Sequence, residues 1–183
     1  DLAHPERYEL LLHQAIATAE ADGPAAVGLY RQALVTPLPP RLTLAARLNL
    51  AALLLKLGQL EDAEQLCRQA TTVAPEIGLG WYNLGLIRRR RGDIAGALNA
   101  YGEALRCNPA HAEGHQNLAV AQLLGGNISA ARGALELMKN APAARRHPAV
   151  ILETLTRAAS RASSVRGRRG EADSAVQELR RML

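Results

Sequence analysis

The chain has 183 residues, of which 48% are apolar but only 3% aromatic, with no Phe at all. A core of this material must be built from Leu and Ala, both strong helix formers; a β-sandwich, which draws on Val, Ile, Tyr and Phe, is argued against. Charge is uneven: residues 1–87 carry 6 basic and 9 acidic side chains, net −3, and residues 88–183 carry 16 and 8, net +8, giving +5 overall. Such an imbalance bears on partners and solubility, not on fold. An all-helical protein is expected.

Two cysteines, Cys67 and Cys107, lie forty residues apart without a CxxC pattern. They read as two buried thiols in a reducing compartment rather than as a disulfide framework or zinc site. No apolar run approaches the roughly 18 residues that a membrane span needs; "LNLAALLL" is the longest, and Asn49 interrupts it. The start, "DLAHPER", is not a secretory signal. It also lacks Met, so the numbering is expected to begin inside a longer chain or after processing. A cytoplasmic location is expected.

In chain order, a first helix is expected from about Glu6 to Ala21, broken by "DGP". "AAVGLYRQALVTP" follows as a second helix, with Ala26, Tyr30 and Ala33 on one stripe, and "PLPPR" is a linker. From there the chain repeats. "ARLNLAALLLKLGQLEDAEQLCRQATTVAPE", "WYNLGLIRRRRGDIAGALNAYGEALRCNPA" and "GHQNLAVAQLLGGNISAARGALELMKNAPA" align at a spacing of 34 residues without a gap. Asn49, Asn83 and Asn117 share that spacing, as do Leu50, Leu84 and Leu118, Gly58, Gly92 and Gly126, and Ala63, Ala97 and Ala131. Six such columns agree across three copies.

Each copy reads as two helices. In the middle one, Trp81, Leu84, Gly85 and Arg88 form the i, i+3, i+4, i+7 stripe of a first helix over about Gly80–Arg91. Gly92 permits a left-handed turn there, and Asp93 can cap the next helix. That second helix runs to about Cys107, with Ile94, Ala97, Tyr101 and Ala104 on its stripe, and Pro109 stops it. Small residues at 85 and 97 allow helix backbones to approach closely.

The pattern resembles the tetratricopeptide repeat, whose signature is W-x₂-L-G-x₂-Y, then A-x₃-F, A and P. Trp81, Leu84, Gly85, Ala97, Tyr101, Ala104 and Pro109 match it directly. The copy at 44–77 matches with Leu50, Ala51, Leu54, Ala63, Ala70 and Pro75, but has Arg47 for the Trp and Cys67 for the aromatic. The copy at 112–145 keeps Leu118, Ala119 and Ala131, with Leu135 at the aromatic place, Met138 at the next small place and Pro142 one residue early. A degenerate copy fills 1–43, and helices in 146–183 are expected to cap the open end, since solenoids need atypical ends. The resemblance implies an all-α fold, a right-handed α-solenoid of antiparallel helix pairs.

The resemblance also implies where a partner binds. In this family the other stripe of each first helix lines a concave groove that holds an extended peptide or a helix. Here that stripe is Leu79, Tyr82, Asn83, Leu86, Arg89 and Arg90, with Ala45, Leu48, Asn49, Ala52, Leu55 and Lys56 before it. Glu113, Gln116, Asn117, Val120, Leu123 and Leu124 follow. An Asn column can bond a peptide backbone whatever its side chains, or can simply bond a neighbouring helix; both readings stay open. Arg88 is expected to pack its stem between helices with its head in solvent. Arg89 and Arg90 point to the groove and suggest an acidic partner, whereas Arg31 and Arg68 face outward on second helices. Asn49, Asn83 and Arg89 or Arg90 supply only part of the family's carboxylate clamp.

His111 and His115 have a spacing that can bind a metal, but no Cys or acidic residue stands near them beyond Glu113, which is expected to face elsewhere, and both read as surface residues. Ser160, Ser163 and Ser164 lack an activating base. No catalytic constellation, metal site or cofactor is expected. The expected partner is another protein rather than nucleic acid, a membrane or a small molecule, with the chain serving as scaffold, co-chaperone or assembly factor. Two rivals remain: an RNA-binding helical-repeat protein, suggested by the basic second half, and a substrate-recognition domain of a larger enzyme such as a glycosyltransferase.

Overall fold

The computed structural model describes residues 5–139 and Gln177. The expected C-terminal cap, Pro142 and the three serines lie outside the described residues. Eight helices are described: α1 (Pro5–Thr18), α2 (Gly23–Leu34), α3 (Pro40–Lys56), α4 (Leu60–Val73), α5 (Gly78–Arg90), α6 (Ile94–Cys107), α7 (Ala112–Leu124) and α8 (Ile128–Lys139). No strand occurs among the described residues. The all-α expectation holds. The chain divides into two compact units, Asp1–Ile87 and Arg88–Leu183.

The turns inside the repeats are made the same way each time. Gly58, Gly92 and Gly126 have φ of 80°, 83° and 78°, a conformation that a side chain resists. Each lets the next N–H fold back onto the preceding helix: Gln59 donates to Leu54 O at 2.9 Å, Asp93 to Arg88 O at 2.9 Å and Asn127 to Gln122 O at 2.8 Å. The following helices are then capped where the sequence supplies a short oxygen-bearing side chain. Gly96 N donates to Asp93 Oδ1 at 2.8 Å and Ala130 N to Asn127 Oδ1 at 3.1 Å, whereas Gln59 makes no side-chain cap. The first turn differs. α1 ends at Thr18 rather than near Ala21, and Asp22 caps α2 through Ala25 N at 3.0 Å.

In the first unit α1 packs on α2, α2 on α3, and α3 on α4. The core here is Leu and Ala with one aromatic: Ala15, Ala26, Tyr30, Ala33, Leu50, Ala51, Leu54, Ala63, Cys67 and Ala70 are all buried. Trp81 does not join it fully. It is half-buried, and its indole Nε1 donates to Pro75 O at 2.8 Å, tying α5 to the turn before it. Pro40 opens α3 four residues earlier than the repeat boundary at 44, because a proline is well suited to the first helical position.

In the second unit α6 packs on α7 and α7 on α8, over Ala97, Tyr101, Ala104, Ala119, Ala131 and Leu135. Arg88 behaves as its stripe suggests. Its stem lies where a Cβ at Gly96 would come within 2.8 Å of Cδ, and Nη1 donates to Gly96 O at 3.3 Å. The histidine reading needs correction. His115 is only 5% exposed, and its Nε2 donates to Pro109 O at 2.8 Å, so it braces the turn between α6 and α7 from inside. His111 is half-buried, 3.6 Å from Glu113 Oε2.

Candidate functional site

The first-helix side of the first unit carries a real depression. A cavity of about 220 Å³ opens between α1 and α3, walled by Leu12, Ile16, Leu42 and Ala45, with Tyr30 of α2 and Asn49 beside them. Glu9 and His13 supply its polar margin. Tyr30 is 3% exposed, and its phenol hydrogen-bonds the Asn49 side chain. Burial raises the Tyr30 pKa, and the Asn49 bond pulls it back in part. Ala45 and Asn49, both on the expected stripe, are exposed. The sequence reading missed the α1 wall and Tyr30. The available signal was the place of Tyr30 on the second-helix stripe, which puts a phenol next to the following Asn.

The remaining stripe residues divide by burial. Ala52 and Lys56 are exposed, while Leu48 and Leu55 are core. On α5, Leu79 is exposed, Tyr82 and Leu86 are half-buried, and Asn83 is 4% exposed. In the second unit Arg90 is exposed, whereas Arg89 is half-buried with its Nε donating to Tyr101 Oη at 3.4 Å. Gln116 and Asn117 are half-buried, and Asn117 Nδ2 donates to Glu113 O on its own helix at 2.9 Å. The three Asn residues therefore share a register but not an environment.

The second helices present a different surface. Arg31 Nη2 meets Asp62 Oδ2 at 2.7 Å, joining α2 to α4, and Arg68 Nη2 meets Glu64 Oε1 at 2.9 Å along α4. Both arginines are exposed, as the outward placement requires. Such pairs contribute little, about 0–1 kcal/mol each.

Neither thiol is in a disulfide; Cys67 is buried and Cys107 half-buried. Burial, with Glu64 adding, pushes the Cys67 pKa up from 9.0 to about 12. Between those values the unfolded chain releases a proton that the native state keeps. Stability from this group is full below pH 9 and falls as pH rises toward 12, by about 1.4 kcal/mol per pH unit at most. Urea unfolding across that range should show a shallower alkaline loss in Cys67→Val than in the parent. Tyr30, also raised, leaves a residual slope in both. Equal slopes would mean that the thiol is hydrated in the native state.

Among the described residues no group of three His, Cys, Asp or Glu is placed to hold a metal ion, and no helix is long and apolar enough to cross a membrane. Helix pairs with Gly turns at fixed spacing define a helical-repeat protein. Two tetratricopeptide-repeat models match the chain, over residues 17–76 and 78–111, together 94 of 183 residues. The chain belongs to the tetratricopeptide repeat family.

Protein FlbA of Caulobacter vibrioides is 32% identical over 94 residues, which is 51% of this chain and 16% of FlbA. The chain thus spans about a sixth of that relative's length. Among solved structures, MamA is similar with a TM-score of 0.72 and 16% identity, over 96% of this chain and 91% of MamA. Pseudomonas aeruginosa PilF gives 0.70 and 21%, over 96% and 76%. A thermophilic tetratricopeptide protein of Thermus thermophilus gives 0.62 and 19%, over 94% and 98%. At these identities the likeness is one of fold.

Proposed function

We propose that this protein binds an extended segment of another protein along its first-helix side, and that it does so in the cytoplasm as a scaffold or assembly factor, without chemistry of its own. The observation that carries the reading is the cavity between α1 and α3, where apolar walls meet the Tyr30–Asn49 polar pair. Apolar pockets with a few placed polar groups are how side chains of a ligand are taken up and its backbone oriented. Lys56, exposed on α3 of the same unit, favours a segment with acidic groups. Arg89 is a weaker candidate for that role, because it already serves Tyr101.

The test is a peptide selected from a random-sequence library on the intact chain. Ala45→Arg should block it, filling the mouth of the cavity with a charged side chain. Lys56→Glu should slow association and flatten its salt dependence. Arg31→Ala with Arg68→Ala, on the second helices, should leave it unchanged. If that pair matters and Ala45→Arg does not, the partner docks on the other side. RNA is the rival, favoured by the +8 charge of residues 88–183. Affinity for RNA should fall steeply with salt, by roughly 0.7 log units per log unit for each phosphate contact. Tight binding to one RNA sequence at physiological salt would decide for it.

A further inference from the structure

On its second-helix side the first unit carries an apolar groove, separate from the first-helix cavity. It encloses about 430 Å³ between α2 and α4. Leu50 and Leu54 of α3, both core, form its floor, and half-buried Leu34 of α2 and Leu66 of α4 form its walls. Val35 stands at its edge 86% exposed, more than any other large apolar side chain among the described residues.

The repeat does not require this lining. At the places of Leu34, Leu54 and Leu66, the next step of the repeat has Thr71, Arg88 and Ala100. The step after that has Leu105, Gln122 and Ala134. The leucines therefore collect at one step only. An exposed apolar patch with a polar rim is the usual mark of an association surface.

The rim decides what fits. Arg31 Nη2 and Asp62 Oδ2 meet at 2.7 Å, with side chains 58% and 54% exposed. Gln65 and Gln69, both exposed, follow along α4, and each carboxamide offers donors and an acceptor. One cation, one anion and two amides leave the rim without net charge. A rim that selects a charged partner carries the opposite sign; this one is its own complement. Two-fold pairing sets the same patch of both subunits face to face, and requires that property.

We infer that the protein pairs with a second copy of itself through this groove, as a two-fold dimer. The leucines and Val35 of one copy cover those of the other, and Arg31 and Asp62 pair between copies as well as within each. The first-helix side stays open in both subunits.

Sedimentation velocity of the full 183-residue chain over a range of concentrations should show a monomer–dimer equilibrium. Arg31→Asp and Asp62→Arg each leave like charges at the rim, so each alone should stay monomeric where the parent is dimeric. Mixed in equal amounts, the two variants should recover the dimer, because each complements the other. Glu61→Arg also removes an acidic residue from the first turn of α4, but from outside the groove; it should dimerise like the parent. Val35→Glu should weaken the dimer by about tenfold or more, the worth of one buried apolar side chain. So exposed a position carries little of the fold, and this variant decides if a charge variant fails to fold. A parent that stays monomeric, or that grows past two subunits, overturns the inference. So does a dimer that Val35→Glu and the charge reversals leave intact, or one that Ala45→Arg abolishes. Charge variants that fail to pair when mixed overturn the two-fold arrangement.

Discussion

Tyr101→Ala should lower the unfolding free energy by about 3–5 kcal/mol, a large part of the about 5–15 kcal/mol that holds a typical domain. Tyr101 is 0% exposed, the largest fully buried side chain among the described residues, and it lies among Ala97, Ala100 and Ala104 on α6. Small neighbours cannot close over the space that its ring would leave, so most of the cavity term persists. Tyr101→Phe keeps the ring and removes only the oxygen that accepts from Arg89 Nε. That change should cost about 0.5–1.5 kcal/mol. Urea unfolding followed by circular dichroism separates the two. If both variants lose the same amount, the hydrogen bond rather than the ring holds α6 in place, and the packing assigned to the second unit is wrong.

Gly80→Leu should destabilise by about 1–3 kcal/mol, and by more if the helices cannot part. A Cβ there would already stand 3.1 Å from Thr71 Cγ2 and 3.5 Å from Leu48 Cδ2. A leucine adds three further heavy atoms into that gap between α3, α4 and α5. Thr71 cannot swing away freely, because its hydroxyl donates to Arg68 O at 3.1 Å. Gly102, against which an added Cβ would meet nothing within 4 Å, is the matched control. Gly102→Leu should leave the thermal midpoint unchanged or raise it, since glycine is a poor helix former. A tolerated Gly80→Leu would mean that α5 does not sit tightly on α4.

The repeat itself was legible in the residues. The glycine column at 58, 92 and 126 requires a left-handed turn that few other residues accept, and the structure uses all three in that way. The alanine column marks helix crossings, where a side-chain-free surface is needed, and all three members are buried. The candidate site was less legible, because the register of a stripe does not report depth. Asn49, Asn83 and Asn117 lie on equivalent turns, but one is exposed, one buried and one half-buried. Asn49 is bonded by Tyr30 of the preceding repeat. That relation is between repeats, and a pattern read within one repeat does not contain it.

His115 escaped for a similar reason. Its spacing from His111 suggests a metal or the surface, yet His115 is buried and its Nε2 donates to Pro109 O in the turn after α6. The turn, not the helix stripe, decided the direction of that ring. Arg89 likewise pointed to the groove by register, and its half-buried bond to Tyr101 emerges only once α5 and α6 are placed.

Backbone amide hydrogen exchange of the intact chain, with and without the selected peptide, tests the binding reading most directly. Protection should grow on the first helices, at and around Ala45, Asn49 and Ala52 of α3 and Leu79–Asn83 of α5, while the exposed turns of α2 and α4 exchange as before. Protection confined to α2 and α4, around Arg31, Asp62, Gln65 and Arg68, would contradict it and assign the partner to the second-helix surface.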